Sequence, residues 1–170
     1  MALTYNAIAT VTVGSGGASS IEFTAIPQTY TDLLIKVSGR SSVNTTGLNT
    51  TFNGTTTNYA NVRLYSVGTG SASDTSVTNA ISNTMIDDSS YTANTFGNGE
   101  IYIPNYTGST NKSVSVDGVT ENNSQSHLAM WTAGMWSDSA AITSIKLESA
   151  ASGNLVQHTT ATLYGIKNTV

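Results

Sequence analysis

Hydrophobic and polar residues alternate along most of this chain. In Leu33-Leu34-Ile35-Lys36-Val37-Ser38, residues Leu33, Ile35 and Val37 fall on one side of an extended backbone, and Lys36 and Ser38 fall on the other. That is the period of a half-buried strand. The same pattern covers Ala7 to Val13, Ile21 to Phe23, Val62 to Tyr65, Ile101 to Ile103, Val114 to Val116, Leu128 to Ala133, Ile145 to Glu148 and Ala161 to Ile166, with a weaker version at Leu48 to Phe52. Turn chemistry separates the runs. Gly14-Ser15-Gly16-Gly17 supplies positive φ between the first two, and Asn53-Gly54 and Asp117-Gly118 are the dipeptides that left-handed turns favour. Pro27 precedes a strand and Pro104 ends one, positions where a missing N–H costs little.

Residues 68–98 interrupt this pattern with a run of Ser, Thr, Asn and Gly. Val77, Ile81, Met85 and Ile86 are spaced at about four, which suits one short helix over 76–86; a low-complexity linker is the other interpretation. A structureless loop of that length is uncommon inside a compact domain. The segment is therefore expected to be a long surface excursion or a partner contact. About ten short strands with short turns and no βαβ alternation predict one all-β domain over 1–170, an antiparallel β-sandwich of jelly-roll-like topology. Residues 1–5 are either the start of the first strand or an N-terminal arm.

Composition narrows the chemistry. Only 9% of the 170 residues are charged, whereas Thr, Ser and Asn account for 67 of them, so hydroxyls and amides must do most of the work of solvation. The net charge is −4 and the six bases are scattered singly, leaving no basic stripe for nucleic acid. Cysteine is absent, which removes disulfides and thiolate chemistry. The N-terminus lacks a basic segment followed by an apolar one, and no apolar run approaches membrane-spanning length, so neither a secretory signal nor a membrane span is expected. Six Asn-x-Ser/Thr sequons, from Asn44 to Asn122, follow from composition alone.

No catalytic, cofactor or metal site emerges. His127 and His158 stand 31 residues apart with no nucleophile elbow beside either. Asp87-Asp88 suggests a pair of glycosidase carboxylates, but adjacent acids on a strand face opposite sides, and turn capping explains them better. A non-enzymatic protein is the expectation. Trp131 and Trp136, with Tyr59, Tyr65, Tyr91, Tyr102 and Tyr106, could form a sugar-stacking platform, although such rings more often serve a core or a subunit interface. Leu128 to Trp136 carries large apolar groups on both parities, which predicts burial on one face inside the sandwich and on the other against a neighbouring subunit. The candidate interface or binding residues are therefore Ala2, Leu3, Tyr5, Met130, Trp131, Met135 and Trp136.

Several stretches carry a family resemblance: Tyr30-Thr31-Asp32-Leu33-Leu34-Ile35 entering a strand, Phe52-Asn53-Gly54 with Tyr59 beyond it, Trp136, Ile142-Thr143-Ser144-Ile145-Lys146-Leu147, and the closing Ala161-Thr162-Leu163-Tyr164-Gly165-Ile166. Together they resemble small jelly-roll virion structural proteins of tailed bacteriophages. In that group an acid often follows the Asn-Gly, where this chain has Thr55. The resemblance implies a capsid decoration (cement) protein, or a head or tail fibre module. It further implies the major capsid protein or another virion protein as partner, a homotrimer, and a place on the capsid exterior after synthesis in the host cytoplasm. The alternative it leaves open is a receptor-binding or fibre module that recognises host surface glycans.

Overall fold

A computed structural model describes residues 4–45, 47–123 and 128–167. Among these residues twelve strands form: β1 (Tyr5–Thr12), β2 (Ser20–Phe23), β3 (Asp32–Gly39), β4 (Gly47–Phe52), β5 (Tyr59–Val67), β6 (Gly70–Thr78), β7 (Ile81–Met85), β8 (Gly97–Ile103), β9 (Lys112–Val119), β10 (Leu128–Trp136), β11 (Ile145–Ser149) and β12 (Thr160–Ile166). They build two antiparallel sheets, of order β1-β12-β3-β8-β9-β10-β5-β6 and β2-β11-β4-β7. Among the described residues no helix is long and apolar enough to cross a membrane.

The strand order is that of a jelly roll with additions. Eight strands (β1, β2, β3, β4, β7, β8, β11 and β12) give the orders first-eighth-third-sixth in one sheet and second-seventh-fourth-fifth in the other, the paired Greek keys of that fold. Two hairpins, β5–β6 and β9–β10, are inserted between its fourth and fifth strands and between its sixth and seventh. Both extend the first sheet past the edge of β8, so the larger sheet outgrows its partner.

Alternation sets which side chains fill the space between the sheets. Leu33, Ile35 and Val37 of β3, Ile101 and Ile103 of β8, Val114 and Val116 of β9, and Ala161 and Leu163 of β12 point inward to meet Ile21, Phe23, Leu48, Phe52, Ile145 and Leu147 of the smaller sheet. Lys112 also points inward at the start of β9; its Nζ donates to Thr110 O at 2.6 Å, and burial pushes its pKa down.

Three expectations need correction. The helix over 76–86 does not form: Val77 belongs to β6, whereas Ile81 and Met85 belong to β7. Positions four apart share a strand face as well as a helix face, and the turn between the two strands breaks the apparent helical run. The excursion expected over 68–98 is only partly a surface feature, because β6 is exposed but Ala80, Ile81, Met85, Ile86, Asp87 and Asp88 are buried. Finally, Asp117-Gly118 is not a turn but lies inside β9. A Cβ on Gly118 would sit 2.9 Å from the Met85 backbone N, and one on Gly99 of β8 would sit 2.4 Å from Thr84 Cγ2. Glycine here allows β7 to cross close against the larger sheet.

Candidate functional site

The candidates divide according to strand parity. On β10 the even positions Thr132, Gly134 and Trp136 face inward, while Trp131, Ala133 and Met135 face outward. Trp136 is therefore a core residue and not an interface residue. Its ring stacks on Tyr59 at 6.2 Å between centroids and meets Phe52 edge-on at 5.5 Å. The Tyr59 hydroxyl accepts the Phe52 N–H at 2.8 Å and shares a hydrogen bond with Thr55 Oγ1 at 3.1 Å, so Thr55 ties the Asn-Gly turn to this aromatic cluster. Burial pushes the Tyr59 phenol up. Met130 has the parity of Trp136 and is half-buried on the face away from Trp131.

The outward side of β10 belongs to a broad apolar field. Trp131 lies directly opposite Leu64 of β5, Ala133 opposite Val62, and Met135 opposite Ala60, which in turn faces Val77 of β6. Trp131 is 59% exposed, Leu64 57%, Val62 52% and Val77 88%. Met135 and Val119 are exposed on the same side. A depression of about 470 Å³ between Trp131, Leu64 and Ser73 interrupts an otherwise open sheet face. The hairpin legs are held together from the opposite side by a two-point pair, Arg63 Nε to Asp74 Oδ1 at 2.6 Å and Nη2 to Oδ2 at 2.8 Å.

A charged band borders this field toward the jelly-roll strands. Lys36 of β3 pairs with Glu100 of β8, which lies opposite Asp117, and Asp117 lies opposite Trp131. Burial and the Glu100 carboxylate raise the Asp117 pKa, with Lys36 opposing them. Beyond the band, Tyr102 donates to Asp32 Oδ2 at 2.9 Å. Tyr5 is exposed on β1 beside Leu34 and Tyr164, on the same face as Trp131 but five strand spacings away, on the order of 24 Å. Ala2 and Leu3 lie outside the described residues, as does His127.

The other sequence candidates do not converge. Tyr59 and Tyr106 are buried while Tyr102 is on the outer face, so no single stacking platform of Tyr and Trp forms. Asp88 caps a turn, accepting from the Ser90 N–H at 2.8 Å and the Ser90 hydroxyl at 2.6 Å. Asp87 Oδ1 accepts the Glu121 N–H at 2.8 Å. Both acids are buried rather than solvated. Among the described residues no three His, Asp or Glu side chains gather as a group that could hold a metal ion.

Leu64, Val62, Val77 and Val119 are not among the candidates that the sequence offers. The period of β5 is plain in the sequence, but an alternating strand does not say which side is covered. Here the inward positions are Asn61 and Arg63, and the apolar pair is outside. Compared with known proteins, the chain matches no protein-family model, no curated protein and no solved structure.

Proposed function

We propose that this chain is a structural protein of a tailed-phage virion, a non-enzymatic decoration protein on the capsid exterior that stabilises the shell by bridging its subunits. The observation that carries this reading is the apolar field around Trp131, Leu64, Val62 and Val77 on the extended sheet. It exposes on the order of 500 Å² of apolar surface, toward the upper end of the largest patch on a typical monomer. Burying such an area is a gross gain of about 10 kcal/mol, enough to oppose the freedom lost on association. The sheet is open and broad, a shape suited to another protein surface rather than to an enclosed substrate. The resemblance to jelly-roll virion proteins adds the capsid as partner and a homotrimer as the assembly, and the hydroxyl-rich, weakly acidic surface suits an exterior position.

Virions lacking the chain should release their genome at a lower temperature and under milder osmotic shock than complete ones. Adding back the wild-type protein should restore resistance, and a Trp131→Ser, Leu64→Ser variant should not. Equal resistance with and without the chain would overturn the proposal.

A further inference from the structure

A cavity of about 700 Å³ lies at one end of the sandwich, remote in sequence from the apolar field. It opens between the connection joining β7 to β8, which supplies Asn94 and Phe96, and the connection joining β11 to β12, which supplies Val156, Gln157 and His158. Arg40, just after β3, fastens both walls. Its Nη1 donates to Thr92 O at 2.8 Å and Thr95 O at 3.1 Å, its Nη2 donates to Tyr91 O at 3.0 Å, and its own carbonyl accepts the Val156 N–H at 3.0 Å. Thr95 Oγ1 and Thr92 Oγ1 anchor the first wall again, on Glu121 O and Asn122 O. The His158 N–H is held by Val13 O at 3.0 Å. The walls are therefore fixed before any ligand arrives, which lowers the ordering cost of binding.

The side chains on these walls, by contrast, are idle. Asn94, Gln157 and His158 are exposed, and none of the three side chains makes a hydrogen bond among the described residues. His158 also has a left-handed backbone, with φ at 73°, a region that His and Asn enter more readily than most residues. The other non-glycine residues in that region among the described residues are asparagines, which tolerate it, and Ala25.

We propose that this cavity binds a neutral saccharide. The half-buried Phe96 ring and Val156 offer an apolar surface to the C–H face of a pyranose. Each of the Asn94 and Gln157 amides presents a donor and an acceptor side by side, the complement of two adjacent hydroxyls, and the His158 ring adds one of each. Three N–H groups of Arg40 already point at backbone carbonyls, so the polar contacts offered to a ligand come mainly from the two amides and the imidazole, groups whose paired donors and acceptors match hydroxyls. The proposal does not rest on the capsid reading.

The test uses the full chain and a panel of glucose, galactose, mannose, N-acetylglucosamine, their disaccharides, and sialic acid, with saturation-transfer and chemical-shift NMR. At least one neutral sugar should bind and shift the signals of Asn94, Phe96, Gln157 and His158. His158→Gly and Asn94→Gly keep the positive φ at no steric cost, so both variants should melt at or above the wild-type temperature and still lose about tenfold or more in affinity. Phe96→Ala should abolish saturation transfer. Binding of no sugar, binding of sialic acid alone, shifts mapping elsewhere, or glycine variants that melt as expected but bind as wild type would each overturn the proposal.

Discussion

Trp131 and Trp136 stand on one strand with opposite parity, and that difference decides what each contributes. Trp136 fills the space between Phe52 and Tyr59, whereas Trp131 covers only its neighbours on an open sheet. Trp136→Ala is expected to cost about 3–5 kcal/mol of stability. Trp131→Ala should stay within about 0.5 kcal/mol. Urea denaturation of the two variants checks the contrast. Asp117, beside Trp131, has the opposite problem of an ionised group held in the wrong surroundings. Because its folded pKa lies above its ordinary value, the folded chain keeps this proton through a window in which the unfolded chain has already lost it. Ionisation then weakens the fold at neutral pH and costs nothing below both pKa values. Asp117→Asn should accordingly raise the urea midpoint at pH 7 and leave it unchanged near pH 2.5.

At the level of elements, β7 carries the clearest prediction. Gly99→Ala should cost about 2 kcal/mol by pushing a Cβ into Thr84 Cγ2. Thr84→Ser deletes that methyl, and the next contact of the new Cβ, Asp117 O, is at 3.3 Å. The double variant should therefore recover most of the loss in a double-mutant cycle. The same strand shows where sequence legibility stopped. Every alternating run from Ala7 to Ile166 falls on a strand, and all but Val62 to Tyr65 turn apolar residues toward the core. β6 and β7 were invisible for separate reasons. In β6 the inward positions are polar, with Asp74 facing Arg63, so no apolar alternation exists to be read. In β7, Ser82 and Thr84 are buried along with Ile81 and Met85, so polarity does not report burial. The candidate site was legible at Trp131 and Met135, where both parities of β10 are large, and illegible at Leu64 and Val62, which look like ordinary inward positions of a strand.

Considered whole, the molecule is a jelly roll whose larger sheet is widened by two hairpins, and its apolar field lies on the outer face of those added strands. If that field joins copies or partners, then placing charge on it should separate them without unfolding the chain. If it joins copies into the homotrimer proposed above, Leu64→Lys with Trp131→Lys should lower the mass by light scattering to that of a monomer, with little change in the thermal melt of dilute protein. Strand order was beyond the reach of local pattern, since it depends on which runs meet across the molecule, and the two inserted hairpins gave no sequence mark of being additions. Their status as additions nonetheless makes the protein a natural carrier. A foreign peptide spliced at Gly68, in the tip between β5 and β6, would ride at the far end of an arm whose legs are clasped by Arg63 and Asp74. The eight founding strands would fold without registering the cargo.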